Sequence, residues 1–185
     1  MNLSEFIWKY NNQSIDVDWV YWSQCVDLIK KYTIDVFWIT LWTFWWSAKS
    51  GWNNKSNTFP EDEWEKIENN YDDEDQTPKA WDIIFWWYGT YGHVWIVINW
   101  FKGENKIEVF NQNTGNWNWT WYDDRSRIEN NTYNQCLGWY RLKDDNFEMN
   151  DLINENESLK EKNKTLNEEN SELKEKIKDA INILS

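Results

Sequence analysis

The chain has 185 residues and a formal net charge of −13, room enough for one domain with a real hydrophobic core plus an appendage. So acidic a balance argues against nucleic acid, whose phosphates demand basic patches, and no apolar run is long enough to span a bilayer. The anomaly is aromatic: 18 tryptophans stand against six glycines.

In chain order, the N-terminus shows no basic start, apolar run and small-residue cleavage site, so cytoplasmic synthesis without a signal peptide is expected. The stretch "DVDWVYWSQCVDLIKKY" (16–32) reads as an acidic loop followed by a helix over Gln24–Tyr32. Cys25, Leu28, Ile29 and Tyr32 fall on one face of that helix. Residues 53–79 are polar and acidic with Pro60 and Pro78, which predicts a loop and one short helix around Glu61–Asn69. Strand-like runs follow at 82–86, 93–99, 106–111 and 135–142, separated by turn-rich segments such as "YGTYG" and "KGEN". A helix first and an antiparallel sheet after it is an α+β layout. Cys25 and Cys136 lie far apart, and two free thiols in a reducing compartment are expected.

Composition changes near residue 145, which divides the chain into a domain over 1–145 and a helix over 146–185. With Leu152, Leu159, Leu166, Leu173 and Ala180 at heptad position d, position a holds Met149, Asn156, Asn163, Asn170, Ile177 and Leu184. Leucine at d over about five heptads predicts a coiled coil. Asparagine at a favours a parallel homodimer through 149–185, and Glu155 and Glu169 at g would face Lys160 and Lys174 at e of the partner. A solvated single helix is the competing reading.

A catalytic cysteine needs a lowered pKa, a base within reach and a place for the developing oxyanion. Cys25 begins its helix, where unpaired N–H groups and the helix dipole favour a thiolate. His93 is the single histidine and therefore the one available imidazole base, and Asn111, ending the next strand, could orient its ring. Purely structural roles for Cys25 and His93 stay open on these facts alone. In the preceding loop, Asp16, Asp18, Val20, Trp22 and Asp27 stand at positions 1, 3, 5, 7 and 12, the ligand offsets of an EF-hand, with Val20 and Trp22 offering backbone carbonyls. Tyr21 replaces the turn glycine and Asp27 the bidentate glutamate. Calcium and a solvated acidic turn are the two readings; no organic cofactor is expected.

These residues resemble the CHAP domains, the cysteine, histidine-dependent amidohydrolases/peptidases of phage endolysins, whose first motif runs Asp-x-Asp-Gly-x-Tyr-Gly-x-Gln-Cys-x-Asp-Leu. "KAWDIIFW", "YGHVWIVI" and "IEVFNQN" follow in the family's order, so the resemblance spans roughly residues 4–143. It implies a papain-like α+β fold with Cys25 as nucleophile, His93 as general base and Asn111 as third member. Asn113 matches a family asparagine that assists the site, and Gln24 the glutamine before the nucleophile. Calcium at Asp16, Asp18 and Asp27 matches some members. The implied activity is that of a peptidoglycan hydrolase, cutting either the N-acetylmuramoyl–alanine amide or a peptide cross-bridge, and reaching the wall after holin- or lysis-dependent release. A non-catalytic tryptophan-rich wall-binding module, or a coiled-coil phage structural protein, is the alternative.

Where the family has glycine, this chain repeatedly has tryptophan: Trp19, Trp22, Trp45, Trp46 and Trp81, with Trp117, Trp119 and Trp121 inserted in a Gly/Asn turn. Trp95 stands where the family has glycine or alanine. So many exchanges in one direction suggest codons that specify glycine in the source organism, UGA read here as tryptophan. Trp52, Trp64, Trp86 and Trp139 fit positions where a bulky residue belongs. A genuine sugar-stacking aromatic surface is the rival explanation.

Overall fold

A computed structural model of the chain describes residues 1–20, 23–41, 47–53, 58–70, 73, 76–87, 89–101, 105–114, 125–133, 135–143, 163–174 and 176–178. The chain divides into two compact units, Met1–Lys143 and Asp144–Ser185.

Among the described residues, the first unit has three helices, α1 (Leu3–Tyr10), α2 (Cys25–Phe37) and α3 (Ala48–Asn53). They are followed by strands β1 (Trp64–Glu68), β2 (Ile83–Trp86), β3 (His93–Phe101), β4 (Lys106–Asn111), β5 (Arg127–Asn131) and β6 (Cys136–Leu142). The strands form one sheet in the order β1-β6-β2-β3-β4-β5, with every pair antiparallel. This is the α+β architecture expected from the sequence.

Helix α1 was not foreseen. Asn2 and Glu5 close a reciprocal capping box, the Glu5 amide donating to Asn2 Oδ1 at 2.8 Å and the Asn2 amide to Glu5 Oε2 at 3.0 Å. Its Leu3, Phe6 and Tyr10 are buried. Phe6 sets its ring edge-on to Tyr32 of α2 at 5.3 Å and to Phe110 of β4 at 6.1 Å, fastening both helices to the sheet. Alternation along the strands buries both faces of the sheet's centre. Phe85 and Tyr140 pack with Phe59, while Ile84, Trp86, Val109 and Trp139 belong to a second apolar cluster.

One expectation needs correction. Residues around Glu61–Asn69 form not a helix but strand β1, which pairs with β6 at the edge of the sheet. The charges that suggested a helix are the exposed side chains of an edge strand, Glu65 and Glu68, while Trp64 is buried against Phe37 and Phe59. Strand β5, rich in asparagine and charge, was not foreseen either; its ladder to β4 overrides a weak strand propensity.

Five described residues other than glycine have positive φ, and three are tryptophans: Trp19 (60°), Trp38 (62°) and Trp81 (77°). The others, Asn12 and Asn113, are of a type that tolerates that region well. Trp38 caps α2 in the left-handed conformation while its amide donates to the carbonyls of Ile34 and Thr33. Trp52, Trp64, Trp86 and Trp139 are buried, and so is Trp95, whose ring lies 3.8 Å from that of Trp86. Trp22, Trp45, Trp46, Trp117, Trp119 and Trp121 lie outside the described residues.

In the second unit, residues 163–174 and 176–178 are helical and exposed. Leu166, Leu173 and Ile177, at heptad positions d, d and a, are 46%, 54% and 58% exposed. The heptad residues before 163 and after 178 lie outside the described residues.

Candidate active site

Cys25 is the first residue of α2 and Gln24 its N-cap, with extended backbone (φ −96°, ψ 160°). Asp27 closes the turn, its Oδ2 accepting from the Gln24 amide at 2.9 Å. The N–H groups of Val94, Val26 and Cys25 itself face the sulfur. Val94 directly follows His93, so the N-terminus of α2 adjoins the start of β3. A tight turn delivers His93: Gly92 has φ 69°, and a Cβ there would lie 2.9 Å from the Trp86 carbonyl and 3.1 Å from the Lys49 amide. Only glycine fits without displacing that backbone.

Burial decides the charge states. It pushes the Cys25 thiol up to about 12, with Asp27 adding to the shift and the surrounding N–H groups opposing it. Burial likewise lowers His93 to about 4; Glu129 raises it and Arg127 lowers it. The resting pair is therefore neutral thiol and neutral imidazole. Sequence reasoning expected the helix terminus to favour a thiolate, but that effect is worth up to about 2 kcal/mol, too little to offset desolvation of a thiol that is 7% exposed. His93 Nε2 is buried without a hydrogen-bond partner.

Asn111 ends β4 fully buried, and its amide is engaged on both sides. Nδ2 donates to Glu129 Oε2 at 2.9 Å, and Oδ1 accepts from Thr114 Oγ1 at 3.2 Å. Asn113 Nδ2 donates to Gln24 Oε1 at 3.1 Å, tying the residue before Cys25 to the loop after β4. Gln112, between them, carries the greatest share of this junction. It accepts from the Ile15 amide at 2.8 Å and donates to the carbonyls of Ile15 at 2.7 Å and Gln24 at 3.0 Å. Sequence reasoning missed Gln112 and Glu129. A glutamine flanked by two asparagines gives no burial signal, and Glu129 becomes relevant only once β5 pairs with β4.

In the acidic loop, Asp16, Asp18 and Asp27 bring carboxylate oxygens within 4.8 Å of one another. Asp16 Oδ1 accepts from the Trp19 amide at 2.7 Å and Asp18 Oδ1 from the Val20 amide at 2.9 Å. Asp27 Oδ1 is buried with no hydrogen bond. Burial above all raises Asp27 to about 6, with Asp18 and Asp16 adding and Gln24 and Lys30 opposing. Helix α2 already supplies one cation to this cluster: Lys30 Nζ lies 2.6 Å from Asp18 Oδ2 and 3.9 Å from Asp27 Oδ1. Val20 is exposed, and Trp22 lies outside the described residues. The second cysteine, Cys136, is buried within the apolar cluster of the sheet, and both cysteines are free thiols.

Among solved structures, the fold is similar to that of the wild-type endolysin LysIME-EF1, at 18% identity and a TM-score of 0.58, over 74% of this chain and 61% of that one. The chain thus spans less than two thirds of that endolysin's length. The structure of Ly7917 is a weaker match, at 17% identity and a TM-score of 0.40, over 64% of this chain and 53% of that one. No curated protein matches. The CHAP domain family matches residues 15–113, containing the acidic loop, Cys25, His93, Asn111 and Asn113. That match covers more than half of the chain, which therefore belongs to the CHAP domain family.

Proposed function

We propose that the chain is a peptidoglycan hydrolase that cuts an amide bond by cysteine nucleophilic catalysis. The bond is either the N-acetylmuramoyl–alanine link or a peptide bond of a stem or cross-bridge. The observation that carries this reading is the seating of Cys25 at the N-terminus of α2, its sulfur against the Val94 amide immediately after the single histidine. Membership of the CHAP family and the likeness to an endolysin fold support it.

From the neutral resting pair, His93 takes the thiol proton as the sulfur attacks the scissile carbonyl. The N–H groups that face the sulfur, with the Gln24 side chain held by Asn113, are available to the oxyanion of the tetrahedral intermediate. His93 then gives its proton to the departing amine. Water, deprotonated by His93, attacks the thioester, and collapse frees a carboxylate and returns the proton to the thiol. Asn111 orients the imidazole.

The acidic cluster fits a hard divalent cation such as calcium, because it gathers three carboxylates and leaves one buried oxygen without a hydrogen bond. Asp16, Asp18 and Asp27 would hold the ion with the backbone carbonyls of Val20 and Trp22, and Lys30 would yield its place beside Asp18. The ion's contribution is charge compensation, which fixes the loop that leads into Cys25. The exposed Leu166, Leu173 and Ile177 support a parallel homodimer through 149–185, which raises avidity on a repetitive polymer. The enzyme acts at the bacterial wall after release from the cell that makes it.

The test is chemical. Purified wall is digested and the fragments are identified by mass spectrometry. A new pair of amine and carboxyl termini at one amide is expected; fragments with new reducing sugars and intact peptides would overturn the reading.

A further inference from the structure

The site's third member, Asn111, is neutral, yet it does not stand alone. β4 and β5 pair with Asn111 opposite Arg127 and Val109 opposite Glu129, so Arg127 and Glu129 share the sheet face of Asn111. On that face the Glu129 carboxylate receives Asn111 Nδ2 at 2.9 Å, Thr114 Oγ1 at 3.4 Å and the Arg127 Nε. Glu129 is one-third exposed, and hydrogen bonds from Arg127, Asn111 and Thr114 hold it below the usual carboxylate range despite burial, so it is an anion at working pH.

An asparagine amide has two different ends, and only its oxygen can accept from an imidazole N–H. With Nδ2 committed to Glu129, Oδ1 is the end left to serve the ring. The single proton of the Thr114 hydroxyl, shared between this oxygen and Glu129, occupies at most one of its lone pairs and leaves the second available. The carboxylate also lies within electrostatic reach of His93 and favours its protonated form, against Arg127 on the same strand. A developing imidazolium therefore meets an oriented amide oxygen with an anion behind it.

We propose that Glu129 is a positioning residue of the catalytic site: from β5 it fixes the Asn111 amide and supplies, through it, the negative charge that stabilises His93 as an imidazolium. The proposal rests on the assignment of His93 as general base. It adds a residue that lies outside the family match over 15–113.

Because the chain has one histidine, a single imidazole can be titrated by NMR in the whole protein, with wall hydrolysis measured beside it. Glu129→Gln keeps the side-chain size, and its one carbonyl oxygen can still accept from Asn111 Nδ2, while its amide NH2 stands in place of the oxygen that faces Thr114 and Arg127. It is expected to move the His93 midpoint to lower pH by about half a unit or more and to slow hydrolysis roughly 10- to 100-fold. Arg127 would then be unopposed, which adds to the same shift. Asn111→Asp in the Glu129→Gln background returns a carboxylate to the site and is expected to recover part of both losses. Slowed hydrolysis with an unmoved His93 midpoint would assign Glu129 a merely structural role and overturn the proposal, as would unaltered hydrolysis in Glu129→Gln. Undiminished hydrolysis by Cys25→Ser is a separate outcome: it would sink the cysteine mechanism while leaving the Glu129–His93 coupling to be read from the titration.

Discussion

Trp19 and Trp38 offer a test in which packing and backbone strain point in opposite directions. Both side chains are almost free of contacts, 87% and 86% exposed, while both backbones are left-handed. That conformation costs a residue with a Cβ roughly 1–2 kcal/mol, and glycine gives back about 0.5–1 kcal/mol of this through its more flexible unfolded chain. Each Trp→Gly change should therefore stabilise by roughly 0.5–1 kcal/mol, and the pair by about 1–2 kcal/mol. In a chain of this size that raises Tm by roughly 3–6 °C, read by calorimetry on the double variant. Trp139→Gly is the contrast: its ring is fully buried, and its removal should cost more than about 4 kcal/mol. A fall in Tm for the Trp19→Gly/Trp38→Gly variant would refute the strain reasoning. The gene gives an independent reading, with UGA expected at codons 19, 38 and 81 and UGG at 52, 64, 86 and 139. Trp38 is the informative member of the first group, because its left-handed cap marks it where family comparison did not.

Three further outcomes follow from the geometry. His93 has a folded pKa near 4, below its unfolded value near 6.5, so the unfolded chain takes up the proton first. Native stability should fall between pH 6.5 and 4 by up to roughly 2–3 kcal/mol, and His93→Gln should remove that part of the slope; an imidazole titrating near 6.5 by NMR would contradict the burial. If the acidic loop holds calcium, chelator at neutral pH should lower Tm and activity together and added calcium should restore both; an unchanged melting curve removes the metal. Full-length protein should sediment as a dimer at micromolar concentration, and deletion of 149–185 should give a monomer that acts more weakly on intact walls; a monomeric full-length chain would exclude the coiled-coil dimer.

What was legible in the sequence were the segments in which local pattern and final environment agree. Apolar runs at β2, β3, β4 and β6 announced strands, and the spacing of Cys25, Leu28, Ile29 and Tyr32 announced α2, although the helix runs on to Phe37. The parts that escaped depend on partners remote in sequence. β1 is a strand because β6 pairs with it, and β5 because β4 does. The site divides in the same way. Cys25, His93 and Asn111 stand out as candidates by residue type and place along the chain, and Asp16, Asp18 and Asp27, named from their spacing, do cluster. The protonation of the thiol could not be read, because it follows from burial under a fold assembled from distant segments. Gln112 and Glu129 were invisible for the same reason: their side chains matter through Ile15 and Gln24 in one case and Asn111 in the other.

The most direct measurement is the release of free amine from purified peptidoglycan by wild-type protein and by Cys25→Ser, with matched circular dichroism spectra showing that both are folded. Steady release by the wild type and none above background by the variant is the expected result. Equal release by the two proteins would mean that Cys25 is not the nucleophile.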